Sequence, residues 1–239
     1  MERRQLGRRL GQPRARDGAV GAALVTGGTG RVGSAVAARL EADGWSVLAA
    51  GRGDGDVSRP DQARALVERA VGELGGLDLL VNAAGEGFAP KPFEQLDERD
   101  WDAALGATAK GSFFVTQAAA PHLRASRGCV VMIEDVAAYQ PWPSFAAHSA
   151  AKAAQAMLTR VLARALAPEV RVCGVAPGPV AVETGQEDRR AAETLLGRVG
   201  SPDDVAAAVA YLATAGFVTG TTLFVDGGRS LKSGAASAP

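Results

Sequence analysis

From residue 22 onward the chain alternates short, almost wholly apolar runs with longer stretches in which apolar residues return every three or four positions. The short runs are Ala22–Thr26, Ser46–Ala50, Leu77–Asn82, Cys129–Ile133, Arg171–Val175 and Thr222–Val225, and each predicts a strand. Arg31–Ala42, Pro60–Leu74, Asp100–Ser126, Ala146–Ala167 and Ser201–Ala213 carry helical spacing. Pro60 suits a first helical turn, Pro168 ends the fourth helix, and Ser201-Pro202-Asp203-Asp204 reads as a cap followed by acidic residues in the first turn. Strands that are apolar along their whole length, rather than alternating, belong to a sheet covered on both faces. Strands that alternate with helices predict right-handed crossovers and a doubly wound parallel α/β sheet with helices on both faces.

Composition narrows the classes of function. With 239 residues, 47% of them apolar, the chain can bury about 70–75% of the surface its unfolded form exposes, and it needs neither disulfide nor metal to fold. One domain is expected over residues 21–231, with a tail at 232–239. The first twenty residues hold six arginines against Glu2 and Asp17. They lack the apolar stretch of a secretory signal and read as a disordered basic arm. A formal net charge of zero argues against nucleic acid as a partner. No run of 18 apolar residues is present, so no membrane span is expected. Cys129 and Cys173 lie inside apolar runs and read as small buried hydrophobes, which suits a reducing, cytoplasmic setting. Two histidines in the whole chain do not assemble a metal cluster of the usual spacings.

The strongest local chemistry is the segment AALVTGGTGRVG. It puts Gly27, Gly28, Gly30 and Gly33 where the first strand turns into the first helix, and Gly28, Gly30 and Gly33 satisfy G-x-G-x-x-G. Glycines there let the backbone turn sharply and let a pyrophosphate approach the free N–H groups of the helix start. Following a strand and opening a helix is the context that gives this motif weight, and it makes the fold Rossmann-type. Gly27, Thr29, Gly30, Arg31 and Val32 are expected to bind the cofactor. At the end of the second strand the chain reads Ala49-Ala50-Gly51-Arg52, with no carboxylate to read a ribose 2′-hydroxyl. Arg52, joined by Arg31, suits a 2′-phosphate and points to NADP(H). Asp54 is the competing group, able to turn toward a 2′-hydroxyl.

The order and spacing of TGGTGRVG at 26–33, Asp56-Val57, LDLLVNAAG at 77–85, HSAAK at 148–152, APGPV at 176–180 and TGTTLFVDGG at 219–228 resemble the short-chain dehydrogenase/reductase family from about Ala22 to Leu231. The resemblance implies that Asp56 and Val57 contact adenine, that Asn82, Ala84 and Gly85 run along the cofactor, and that Pro177, Gly178 and Val180 lie beside the nicotinamide carboxamide. Arg52 and Asp56 are so close in sequence that a helix common in the family is absent or reduced to a turn there. The glycine turn departs from the common T-G-x-x-x-G-x-G: Arg31 stands at the second-last glycine, as in pteridine reductases, whereas T-G-x-x-G-x-x-G is the parse of longer or atypical members.

The family's catalytic pattern is Asn, Ser and Tyr-x-x-x-Lys. Here the Asn position holds Thr108, the Ser position Asp135, again as in pteridine reductases, and the Tyr position His148. Lys152 is retained four residues later, so both can share one helical face. Reduction of C=O or C=N leaves an atom that needs a proton. Imidazole, with an unperturbed pKa of ~6.5, is a competent general acid without help from a lysine. In this reading His148 is the acid, Asp135 hydrogen-bonds substrate or relays a proton, and Lys152 binds the nicotinamide ribose. The expected activity is NADPH-dependent reduction of a carbonyl or C=N group in a small, flat aromatic or heterocyclic substrate, pterin-like or a natural-product intermediate. Two alternatives stay open: a catalytically inactive NADP-binding member, and a redox-neutral acid/base enzyme such as an isomerase, dehydratase or cyclase.

Trp142, Phe145 and Phe88 can wall a flat pocket or simply pack a helix start. Ala181–Leu196 falls where the family carries a mobile substrate loop, and its Glu183, Gln186, Glu187 and Asp188 suit solvent. Ala103, Ala104 and Ala107, with Ala153 and Ala154, allow close helix approach. By resemblance the chain is a homodimer or homotetramer.

Overall fold

The computed structural model describes residues 19–86, 89–180 and 182–232. Most of the basic arm, Phe88, Ala181 and residues 233–239 of the tail lie outside the described residues.

Six parallel strands form one sheet in the order β2-β1-β3-β4-β5-β6. They are β1 (Ala22–Thr26), β2 (Ser46–Ala50), β3 (Leu79–Asn82), β4 (Cys129–Ile133), β5 (Arg171–Pro177) and β6 (Thr222–Val225). The helices are α1 (Arg31–Ala42), α2 (Pro60–Leu74), α3 (Glu98–Leu105), α4 (Gly111–Ser126), α5 (Ala146–Leu166), α6 (Glu187–Ala191) and α7 (Pro202–Thr214). Every residue of β1, β3, β4 and β5 is buried, as nearly continuous apolar strands require. Alternate side chains go to opposite faces. Ala23 and Val25 of β1, with Val131 and Ile133 of β4, meet Val36 and Leu40 of α1 and Val205 and Val209 of α7. Leu24, Leu80, Val130 and Met132 meet Leu66 of α2 and Val115 and Leu123 of α4 on the other face. Each of the larger buried side chains contributes about 1.5–3 kcal/mol of transfer free energy. The edge strands β2 and β6 are only partly covered.

Register places Leu24 between Leu48 and Leu80. The chain leaves β1 toward β2, crosses back to β3 and continues outward, so the order reverses between β1 and β3. At such a switch point a crevice opens beyond the carboxyl ends of the strands.

The structure differs from the sequence reading at several places, including a short helix, α6, within the expected loop. β3 begins at Leu79, because Asp78 turns its carboxylate back to accept the amide of Ala22 at 2.9 Å. β5 runs on to Pro177. The single helix expected over Asp100–Ser126 is α3 and α4 joined by a π-turn at Gly106–Lys110. There the Ser112 hydroxyl donates to the Thr108 carbonyl at 2.6 Å, a local bond that competes with regular helical pairing. Gly111 also lies so close to Val57 that a methyl group on it would sit 2.8 Å from Val57 Cγ2. Among the described residues no helix is long and apolar enough to cross a membrane.

The start of α7 matches its sequence signal. Asp204 donates its amide to the Ser201 hydroxyl at 3.2 Å, Ser201 returns its own amide to Asp204 Oδ2 at 2.8 Å, and Pro202 follows the cap. The bidentate Arg198 guanidinium, then the Ser201 amide, hold the Asp204 carboxyl down to about 2. Ser201→Ala should cost about 1 kcal/mol of unfolding free energy, read from urea denaturation at pH 7. Because the folded-state value is depressed, the carboxylate's stabilisation is complete above about pH 4 and is lost as pH falls toward 2. The difference between wild type and Asp204→Asn should therefore shrink over that window, and a constant difference would show that the charge contributes nothing.

Candidate active site

The carboxyl edge of the sheet gathers nearly all the polar groups singled out in the sequence. At the switch point a cleft of about 560 Å³ is walled by Thr26, Gly27, Thr29 and Gly30, by Ala50, Gly51 and Arg52, by Asp56, Val57 and Ser58, and by Ala84, Gly85 and Glu86. The backbone closes on itself there. Gly27 has φ +65°, and a methyl group on it would lie 2.6 Å from the Ala83 carbonyl oxygen. A methyl on Gly33 would lie 2.2 Å from the Gly27 oxygen, and one on Gly28 would lie 2.8 Å from Ala49 Cα. These contacts bring the start of α1, with its unpaired N–H groups, to the rim of the cleft. A dinucleotide fits this geometry: a glycine cradle that side chains would fill, a helix start aimed at it, and a cleft of suitable size.

Thus Gly27, Thr29, Gly30, Arg52, Asp56, Val57, Ala84 and Gly85 are brought to one cavity wall. Arg31 is exposed at the first residue of α1 and Val32 packs on the core; neither lines the cleft. Asn82 is buried beneath it, donating from Nδ2 to Thr116 Oγ1 at 3.0 Å, with its Oδ1 unpartnered. Ala84 donates its amide to Thr26 Oγ1 at 3.4 Å. Pro177 ends β5, Gly178 donates to the Val225 carbonyl at 3.0 Å, and Val180 bridges to Gly200. These three stand at the same sheet edge but outside the cleft wall.

The family helix after β2 is reduced to the single 3-10 turn Arg52–Asp54. Asp54 is engaged within that turn: Oδ2 accepts from the Gly51 amide at 2.8 Å and Oδ1 from Arg69 at 2.9 Å. It therefore does not turn to the cleft. Arg52 is paired instead with the carboxylate of Glu86, a partner not anticipated from the sequence because the two are 34 residues apart. Ser58, through its side chain and its amide, keeps the Asp56 carboxyl below its ordinary value.

The second cluster lies where β4 gives way to α5. His148 Nε2 is 3.3 Å from Asp135 Oδ2, and the other oxygen of Asp135 accepts the Ala137 amide at 2.8 Å. That amide bond fixes the carboxylate, which then fixes the face of the imidazole. One turn along α5, Lys152 is 8% exposed. Its ammonium donates to the Ile133 carbonyl at 2.7 Å and to Gln155 Oε1 at 3.1 Å. Burial pulls its pKa down, and the Asp135 and Glu134 carboxylates oppose the fall. Thr108, in the π-turn, is buried next to Gly85 of the cleft wall, whose added methyl would be 3.5 Å from the Thr108 hydroxyl.

Sequence reasoning missed Glu134. It is buried at the end of β4 and accepts from Thr159 at 2.6 Å, Tyr139 at 2.7 Å and Thr222 at 3.0 Å. The available signal is the first of two consecutive acidic residues, Glu134 and Asp135, at the end of an apolar strand. Tyr139, one of two tyrosines in the chain, spends its hydroxyl on Glu134, and partial burial pushes its pKa up to about 12. Trp142 and Phe145 pack edge to face at 5.9 Å, and the Arg229 guanidinium covers Trp142 at 4.3 Å. Arg229 also pairs with Glu193 at 2.9 Å.

The sequence profile of the family described as "Enoyl-(Acyl carrier protein) reductase" matches residues 19–230. The 3beta-hydroxysteroid dehydrogenase 1 of Eggerthella lenta is 36% identical, covering 88% of this chain and 94% of its own. The granaticin polyketide synthase putative ketoacyl reductase 2 of Streptomyces violaceoruber is 36% identical, over 87% of this chain and 96% of its own. Among solved structures, the 3-ketoacyl-(acyl-carrier-protein) reductase of Brucella melitensis complexed with NADH superposes with a TM-score of 0.83 at 28% identity, covering 87% of this chain and 98% of that one.

Gly33→Ala should lower stability by about 1–3 kcal/mol, because its methyl meets the Gly27 carbonyl rather than a side chain that can move. A wild-type urea midpoint would show instead that the turn yields.

Proposed function

Since the chain belongs to the short-chain dehydrogenase/reductase family of oxidoreductases, we propose that it is an NADPH-dependent reductase of carbonyl or C=N groups with His148 as the proton donor. The observation that carries this reading is the Asp135–His148 contact at 3.3 Å, one helical turn from a buried lysine; the three stand at the same carboxyl edge of the sheet as the cleft, outside its wall.

A bound nicotinamide cofactor would supply the hydride. Gly27, Thr29, Gly30, Ala84 and Gly85 would hold it along the cleft, with Asp56 and Val57 at its adenine end and Pro177, Gly178 and Val180 toward the nicotinamide. Arg31 and Val32, at the start of α1, would lie beside its phosphates, with Asn82 beneath the cleft. Lys152 would donate to its ribose hydroxyls. His148 delivers a proton to the oxygen or nitrogen that hydride addition leaves anionic, and Asp135 keeps the ring aimed. Tyr139 does not stand in for His148, since its hydroxyl donates to Glu134. Trp142 and Phe145 suit a flat, apolar substrate face; pterin-like rings and natural-product intermediates are the classes that follow. Met157 and Val161 on α5 are about half exposed, a face suited to a homodimer or homotetramer.

His148→Phe should lower kcat by about 100-fold or more while leaving the cofactor's Kd in place, and His148→Tyr should retain turnover. The assay is reduction of ketone, imine and pterin panels with 4-deuterated NADPH. Deuterium on the product carbon supports the reading. Undiminished turnover by His148→Phe would remove His148 as the acid, and deuterium-free product would replace reduction by redox-neutral chemistry.

The preference for NADPH is read from Arg52 and from the lack of an acidic residue in Ala49–Gly51. Glu86 competes with a 2′-phosphate for that guanidinium. Glu86→Gln should therefore tighten NADPH by up to about fivefold, the range of an exposed ion pair, and leave NADH unchanged. Arg52→Ala should abolish the difference between the two.

A further inference from the structure

Beneath His148 and Asp135 runs a chain of buried polar groups whose donors all point the same way. Lys152 Nζ donates to Gln155 Oε1 at 3.1 Å, Gln155 Nε2 donates to Ser112 Oγ at 2.8 Å, and the Ser112 hydroxyl donates to the Thr108 carbonyl at 2.6 Å. Gln155 is 0% exposed. An ammonium only donates, so the oxygen end of the amide must face Lys152. The Ser112 hydroxyl spends its proton on Thr108 and accepts from the nitrogen end. Both ends of the amide are thereby fixed, and a flip would break two bonds at once. A buried amide costs free energy that an aliphatic side chain at the same position would avoid. Its neighbours on the buried face of α5 are Ala151, Ala156 and Thr159.

We propose that Gln155 is a positioning residue for Lys152. Together with the Ile133 carbonyl it takes two of the three ammonium protons and so fixes where the third points. Anchored through Ser112 to the π-turn, it couples the lysine to Thr108, next to Gly85 in the cleft wall. The carboxylates that act on Lys152 are Asp135 and Glu134 at the end of β4. His148 precedes it by one turn of α5, while α4 and the π-turn contribute the hydroxyl of Ser112 and the carbonyl of Thr108; Lys110, the last residue of the π-turn, is exposed. The catalytic consequence rests on the reductase reading given above; the hold on the ammonium does not.

The chain has four lysines, Lys91, Lys110, Lys152 and Lys232, so ε-13C-lysine labelling of the full-length protein gives four signals, with Lys152 assigned by its loss in Lys152→Arg. Gln155→Leu removes an acceptor from the charged form, and the Lys152 titration midpoint should fall by about 1 in pH. Gln155→Glu should raise it. Ser112→Ala, which frees the far end of the amide, should lower it by less than Gln155→Leu does. In turnover, the basic limb of the kcat/KM profile should move in the same direction in each variant. An unchanged Lys152 midpoint in Gln155→Leu, with only a lower melting temperature, would reduce Gln155 to a packing residue and overturn the proposal. If Gln155→Leu does not fold, Gln155→Glu and Ser112→Ala decide by the same readout. Shifted midpoints in a protein that reduces nothing would contradict the reductase reading and leave the positioning role standing.

Discussion

The close backbone approach between β1 and α1 is the constraint from which the rest follows. Gly27, Gly28 and Gly33 occupy places where a single added carbon would fall within 2.8 Å of backbone, on Ala83, Ala49 or Gly27 itself. The Gly30 amide closes the turn on the Gly27 carbonyl at 3.0 Å. That compact turn brings the N-terminus of α1 down onto the sheet. Val36 and Leu40 of α1 can then share a core with Val205 and Val209 of α7. It also leaves the crevice between the ends of β1 and β3 open to a ligand, with helix N–H groups facing it. The same glycines thus set the packing and shape the crevice, and the turn does not tolerate a side chain at any of them.

A sheet buried on both faces can accept polar groups only at its ends, and the carboxyl end here is where they are concentrated. Each is held by a specific partner. Asp135 is capped by the Ala137 amide, Glu134 is surrounded by three hydroxyls, and Lys152 is held by a carbonyl and an amide. Such satisfaction is what lets charged groups persist with little exposure. It also gives each of them a single orientation. The opposite end of the sheet is handled differently: Arg171 is spent on the carbonyls of Leu212 and Ala213, both at 2.8 Å, and Asp78 on the amide of Ala22.

How much of this was legible in the sequence follows from the range of each interaction. Unbroken apolar runs such as Cys129–Ile133 identified strands, and the Ser201 cap identified the start of α7, because both signals are local. The glycine turn was legible because its residues lie within seven positions of one another. His148, Asp135 and Lys152 were singled out by resemblance and are found together. The π-turn at Gly106–Lys110 was not legible, since it depends on Ser112 bonding to Thr108 and on Val57 crowding Gly111. The Arg52–Glu86 pair and the Gln155–Ser112 bond join distant segments, so neither left a mark in local composition. Gln155 did carry one faint signal, a polar residue three positions after Lys152 on a face that helical spacing assigns to the core. For Asp54, the turn in which it sits decided the matter: its carboxylate closes on Gly51 and Arg69 and does not reach the cleft.

The proposed function makes this edge of the sheet a dinucleotide site selective for a 2′-phosphate. Calorimetric titration of the full chain with NADPH and, in parallel, NADH tests it most directly. Saturable binding of both, with NADPH the tighter, is the predicted result. Binding of neither, or tighter binding of NADH, would contradict it.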